Sequence, residues 1–154
     1  MGMFKGQGAT EYLVLLAVVL IVALVSVALL GFFPGMASDA RITQSESYWR
    51  SARPFSIVDA SINATGGATL AIQNKEASGQ YTITNILMGT INSTGLAATA
   101  FAPGETKNVY MTTPGFGTNT VGAVYEYNVT ITYNTPSISG LKQYGTKGLV
   151  DKYV

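Results

Sequence analysis

The stretch FKGQGATEYLVLLAVVLIVALV, residues 4–25, separates two kinds of sequence in this chain. It begins with a lysine and short polar residues, reaches a carboxylate at Glu11, and continues as an apolar run from Tyr12 to Phe33. At about 1.5 Å of rise per residue, a helix of this length measures roughly 33 Å, which matches a bilayer hydrocarbon core of about 30 Å. Because the run is apolar on every side of a helix, the sequence predicts a segment surrounded by lipid or by other helices.

The composition excludes several classes of function. Charged residues make up 11 % of the chain and the net charge is +1, so no basic patch predicts nucleic acid as a partner. The absence of Cys and His removes disulfides, zinc sites, thiol nucleophiles and the commonest general base. The 8 acidic residues are scattered, without paired carboxylates or a calcium loop. We therefore expect no metal, no cofactor and no enzymatic activity.

Two ordinary interpretations of the apolar run are incomplete. A secretory signal has an apolar region of about 7–15 residues followed by a small-residue cleavage site, whereas this run is longer and no such region follows it closely. A single-pass anchor fits the length of the run. It leaves Glu11 unexplained, however, because acidic residues within membrane segments usually have a partner and a role.

The segment KGQGATEYL, residues 5–13, together with the apolar run resembles the class III signal sequence of archaeal type IV pilin-like proteins. Its Ala-Thr-Glu-Tyr opening is more similar to adhesive or structural pilins than to archaellins. The resemblance implies that a prepilin peptidase cuts between Gly6 and Gln7, so that residues 1–6 are a leader. It also implies that the precursor is inserted in the cell membrane, and that a pilus assembly ATPase and a membrane platform act on the chain.

The resemblance gives Glu11 a role in assembly. A cut after Gly6 leaves a free α-amino group on Gln7, and Glu11 of a neighbouring copy can pair with that amine as the helices pack. We expect this pair to set the axial register of a helical homopolymer.

Beyond the apolar run, the sequence predicts a helix over residues 7–53 that leads to the head. Pro34 lacks a helical hydrogen-bond donor, so we expect a bend near it, and Pro54 disfavours further helix. Tyr48 and the sole tryptophan, Trp49, are expected to pack against the head rather than to form a ligand platform.

Residues 54–154 have the pattern of a β-rich head. In VYEYNVTITY, residues 124–133, aromatic or aliphatic side chains alternate with polar ones, which predicts a strand with one buried face. Shorter candidate strands are Phe55 to Ile62, Ala68 to Gln73, Tyr81 to Met88, Lys107 to Met111 and Leu141 to Gly145. This spacing predicts an α+β protein whose head is an antiparallel β-sandwich of immunoglobulin-like type.

Three Asn-x-Ser/Thr sequons begin at Asn63, Asn92 and Asn128, and these are the candidate sites of N-glycosylation in an extracellular head. The sequence as a whole favours a pilin that forms an adhesive filament on the cell surface. The alternative is a monomeric, membrane-anchored surface protein whose β-domain binds a sugar or another ligand.

Overall fold

The computed structural model describes residues 7–93, 98–111 and 115–154, without the side chains of residue 7 and of residues 32–34. Its first element is the helix α1, Gln7–Ser51. The chain forms two compact units whose boundary falls inside α1: the first unit ends at Asp39 and the second comprises Ala40–Val154. The last turns of α1 therefore belong to the same unit as the strands.

The helical backbone of α1 continues through Pro34, so the helix does not end with the apolar run. The bend near this residue stays a prediction. α1 ends at Ser51, whose hydroxyl donates to the carbonyl of Tyr48 at 2.9 Å. Pro54 follows shortly after, as expected for a residue that disfavours helix in the position before it.

The strands that follow α1 are β1 (Phe55–Ile62), β2 (Ala68–Asn74), β3 (Tyr81–Met88), β4 (Ile91–Asn92), β5 (Thr99–Phe101), β6 (Thr106–Met111), β7 (Val124–Tyr127), β8 (Val129–Asn134), β9 (Leu141–Tyr144) and β10 (Leu149–Lys152). Among the described residues they form three sheets, all with antiparallel pairing. One sheet has the order β1-β2-β6, a second has the order β4-β3-β8-β9 with β5 also beside β3, and β7 pairs with β10. A long helix followed by antiparallel sheets confirms the predicted α+β class.

Most strands lie where the alternation of side chains predicts them. β1 and β3 coincide with their predictions, and β2, β6 and β9 each differ by a single residue at one end. β4, β5 and β10 were not predicted. β4 and β5 are 2 and 3 residues long, too short for an alternating pattern, and in the sequence LVDK of β10 the two apolar residues are adjacent.

The prediction of one continuous strand over residues 124–133 is wrong. β7 ends at Tyr127 and β8 begins at Val129, and the two strands belong to different sheets. The alternation itself is real, because Tyr125, Val129 and Ile131 are all buried. Periodicity shows which residues face the core, but it does not show which strand the backbone pairs with, and that partner changes between β7 and β8.

The core of the second unit collects buried apolar side chains from α1 and from all three sheets. Its largest fully buried members are Trp49, Phe55, Phe101, Ile62, Leu70, Ile72, Ile83, Ile86, Met88, Met111, Ile131 and Val129. Trp49 is 1 % exposed, and its ring lies directly on Gly145, where a Cβ atom would come within 2.4 Å of it. The amide of Thr146 donates to the hydroxyl of Tyr48 at 2.9 Å. The predicted packing of both aromatic residues against the head is confirmed.

Candidate functional site

The large apolar side chains of α1 from Tyr12 to Leu30 are exposed throughout. Their exposed fractions run from 43 % at Leu16 to 70 % at Leu24, and the most apolar part of the helix is 0 % buried within the chain. By length and composition this helix can cross a membrane, and its place near the N-terminus also fits a signal sequence. Most of the exposed large apolar side chains in the described part of the chain lie on this helix.

One hydroxyl lies within this apolar surface. Ser26 is the single polar side chain of residues 13–30, all of which the structure describes. Its Oγ donates to the carbonyl oxygen of Val22 at 2.7 Å. Because this bond is made within the helix, the hydroxyl adds little cost in an apolar environment. Residues 13–30 can therefore contact lipid or another helix without leaving a side-chain donor unpaired.

Glu11 lies at the polar edge of this surface. Its side chain is exposed beside Thr10, Val14 and Leu15, and it takes part in none of the ion pairs formed among the described residues. Gln7 lies one helical turn earlier, so the two residues share a face of α1. Gly6 and the predicted leader, residues 1–6, lie outside the described residues. The cleavage and the pairing of Glu11 with a neighbouring copy stay predictions.

The three sequon asparagines are exposed on the second unit. Asn63 lies in the turn between β1 and β2, where its Oδ1 accepts hydrogen bonds from the amide (2.6 Å) and hydroxyl of Thr65. Asn92 ends β4, and the last residue of its sequon lies outside the described residues. Asn128 lies between β7 and β8, with its carbonyl oxygen accepting from the amide of Gly89 at 2.8 Å. Their exposure is compatible with glycans, and glycosylation stays a prediction.

The last turns of α1 are joined to the strands by polar contacts that the sequence analysis missed. The hydroxyl of Ser45, which is 3 % exposed, donates to the carbonyl of Gly148 at 2.9 Å and accepts from the amide of Val150 at 2.8 Å. One turn earlier, Arg41 forms an ion pair with Glu126 of β7. The i,i+4 spacing of positions 41, 45 and 49 was the available signal, because it places these side chains on one face of the helix.

A second missed contact joins two sheets. Gln143 of β9 accepts a hydrogen bond from the amide of Phe55 at 3.0 Å and donates to its carbonyl at 2.8 Å. The side-chain amide thus takes the place of a neighbouring strand for the first residue of β1. All of these atoms are buried, so the pairing satisfies a backbone donor and acceptor that would otherwise lack partners.

An aromatic cluster formed by Phe116, Tyr125, Tyr127 and Tyr153 fills the core beside β7. The hydroxyls of Tyr127 and Tyr153 lie 2.7 Å apart. Burial and this hydrogen bond raise the pKa of Tyr153 to about 12, and burial also raises the pKa of Tyr125. Phenols shifted in this direction stay neutral near pH 7, so the cluster packs as uncharged side chains.

The acidic side chains of the head have local partners. Glu105 accepts from the amide of Ala102 at 2.8 Å and pairs with Lys107 at 3.1 Å, and these bonds hold the pKa of its carboxyl below the usual value. Within the part of the chain that the structure describes, no group of three or more acidic or metal-ligating side chains is placed to hold a metal ion.

No protein-family model matches this chain, and neither a curated protein nor a solved structure matches it significantly.

Proposed function

We propose that the chain is a pilin, a structural subunit that polymerises through α1 into an extracellular, adhesive filament of the type IV pilus class. The observation that carries the proposal is the exposed apolar surface of residues 12–30 in a chain whose head buries its own core. Soluble monomers rarely expose an apolar patch of this extent in water. Lipid covers this surface in the precursor, and copies of the same helix cover it in the filament.

The head forms the exterior of the filament. It carries little charge and exposes its three sequon asparagines. Its two larger sheets close over one core as an antiparallel sandwich of immunoglobulin-like type. The shared apolar cluster, which takes side chains from both sheets, supports this arrangement. The chain has no cysteine, so packing and backbone pairing alone stabilise a head that functions outside the cell.

Glu11 acts in assembly. Its carboxylate has no cationic partner among the described residues, and its environment would become largely apolar once helices surround it. An uncompensated charge in such an environment costs several kcal/mol. The α-amino group of Gln7 on a neighbouring copy, created when a prepilin peptidase removes residues 1–6, is the cation that supplies the pair. The assembly ATPase and membrane platform then extract the subunit from the membrane.

Electron microscopy of material sheared from cells tests this proposal. The cells express the full chain together with a prepilin peptidase and the assembly machinery, and intact mass is measured on the same material. We expect helical fibres whose subunits begin at Gln7. A membrane-bound monomer that retains residues 1–6 contradicts the proposal and favours the anchored surface-binding protein instead.

Glu11→Gln separates assembly from membrane insertion. Breaking one side of a buried ion pair costs about 3–5 kcal/mol, so we expect the filament yield to collapse while the amount of chain in the membrane is unchanged. Glu46→Gln is the matched control, because Glu46 lies on the same helix in an exposed pair with Arg50 at 4.0 Å. Equal filament yields from the two variants would show that Glu11 has no role in assembly.

A further inference from the structure

A polar groove lies on the second unit, between the last turns of α1 and the loop that joins β9 to β10. It is open to solvent and has a volume of about 340 Å³, at the lower end of the range for ligand pockets. The side chains that could contact a ligand in it belong to Arg41, Gln44, Asn128, Thr146 and Lys147. The predicted N-glycosylation site Asn128 thus forms part of a concave surface.

The walls of the groove are held in place by the contacts that join α1 to the strands. Glu126 lies over Gly148, where a Cβ atom would come within 2.7 Å of its Cγ, so the glycine leaves room for the Glu126 side chain in this position. Glu126 in turn pairs with Arg41, and Ser45 bonds to the backbone on either side of β10's first residue. A groove built in this way is preorganised, which lowers the entropic cost of holding a ligand.

The chemistry of the groove suits a ligand rich in hydroxyl groups. The side chains of Gln44, Asn128 and Lys147 form no hydrogen bond or ion pair with any other described residue. The primary amide of Gln44 and the ammonium group of Lys147 offer several donors, and the amide also accepts. Because Glu126 neutralises Arg41, a single unpaired cation remains, which is too little for a polyanion but fits a saccharide.

Of the three sequon asparagines, Asn128 is the one that lines the groove. Neither Asn63 nor Asn92 lines the groove. Thr130, the third residue of the Asn128 sequon, lies directly opposite Tyr144 of β9, whose side chain is 66 % exposed. A glycan on Asn128 would begin inside the groove, where tethering gives it a millimolar effective concentration.

We propose that this groove is a saccharide site and that the saccharide it holds is the glycan attached to Asn128 of the same chain. The proposal rests on the export of the head, which is part of the proposed function. It assigns Gln44, Thr146 and Lys147 as the contacts of the first sugar units. It further predicts that glycosylation protects this side of the head from solvent.

Lysine acylation followed by mass spectrometry tests the proposal on the full chain, purified from cells that export and glycosylate it. Glycopeptide analysis first shows whether Asn128 is occupied. The acylation rate of Lys147 is then compared between the wild type and Asn128→Gln, which removes the sequon at an exposed position. Asn63→Gln is the matched sequon control, and the exposed Lys75 in the turn between β2 and β3 is the internal control. The Asn128→Gln chain is also labelled with and without added N,N′-diacetylchitobiose.

We expect a glycan at Asn128 and a several-fold slower acylation of Lys147 in the wild type and in Asn63→Gln than in Asn128→Gln, with Lys75 unchanged. If Asn128 is bare but the disaccharide protects Lys147, the groove is a saccharide site whose ligand comes from another molecule. Equal acylation of Lys147 in every sample overturns the proposal, whether or not Asn128 carries a glycan.

This experiment and the test of filament formation can contradict their two proposals independently. A monomeric surface protein with a protected Lys147 would contradict the pilin proposal and leave the saccharide site intact. The reverse outcome is fibres whose Lys147 reacts equally in the wild type and Asn128→Gln, with no effect of the disaccharide. This result would contradict the saccharide site and leave the pilin proposal intact.

Discussion

The apolar stretch of α1 and the core of the head use the same residue types in opposite environments. Leu24 in the helix is 70 % exposed, whereas Leu70 in β2 is 0 % exposed. A strand such as β2 turns alternate side chains inward, so that other elements of the same chain cover them. In residues 12–30 the apolar side chains surround the helix, and no single neighbouring element could cover them all. The distribution of apolar residues, rather than their number, therefore decides whether a segment is covered by its own chain or by lipid and other copies.

The largest effect on insertion and assembly is expected from a charge placed in the middle of the apolar stretch. Leu20→Arg adds an insertion penalty of about 2.5–3.5 kcal/mol at the centre of a membrane helix. We expect the chain to disappear from the membrane and filament fractions, measured by immunoblot. The urea midpoint of the head, followed by the fluorescence of Trp49, should not change.

Leu20→Ala is the control for this substitution, because it shortens the side chain without adding charge and should leave the chain in both fractions. Normal filament yield with Leu20→Arg would contradict the assignment of this surface to lipid and helix contacts.

A substitution at the junction of α1 with the head is expected to lower the stability of the head. Trp49→Ala removes a fully buried ring and should lower the free energy of unfolding by about 3–5 kcal/mol. Urea unfolding followed by circular dichroism measures this loss. Trp49→Phe keeps a ring and removes an indole Nε1 that has no hydrogen-bond partner among the described residues, so it should cost clearly less. Equal losses would show that ring packing does not stabilise this junction.

A smaller loss is expected at the contact between the sheets. Gln143→Ala leaves the buried amide and carbonyl of Phe55 without partners and should cost about 1–3 kcal/mol. Gln80→Ala, at an exposed turn position, should stay within about 0.5 kcal/mol of the wild type in the same urea titration. If both variants unfold at the wild-type midpoint, Gln143 does not join the sheets in solution.

The smallest expected effect is a loss of head stability at alkaline pH. The pKa of Tyr153 is raised from 10.0 to about 12, so the folded state holds its phenolic proton more tightly than the unfolded state. This contribution is complete below about pH 10 and is lost as the pH rises towards 12. Urea midpoints should therefore fall over this interval. Tyr153→Phe should flatten that fall, and Tyr110→Phe, at a side chain that is 62 % exposed, should not.

Local patterns in the sequence predicted a large part of this structure. Alternation located β1 and β3, and the continuous apolar run located the exposed part of α1. Alternation wrongly predicted one continuous strand over residues 124–133, because it carries no information about the change of pairing partner between β7 and β8. Contacts such as Ser45 with Gly148 join residues 103 positions apart, and a hydroxyl bonded to a distant backbone leaves no local pattern. For the same reason the groove around Asn128 could not be predicted, since its walls come from separate elements.

The claim that copies of α1 cover one another is tested most directly by the accessibility of a single cysteine. The chain has no natural cysteine, so Leu20→Cys in the apolar stretch and Tyr110→Cys on the head each introduce a unique thiol. Lipid-free material sheared from cells is treated with a water-soluble maleimide. We predict that Tyr110→Cys reacts and that Leu20→Cys reacts only after the subunits are dissociated with detergent. Equal reaction of the two thiols before dissociation, or the absence of any lipid-free form, would contradict the account.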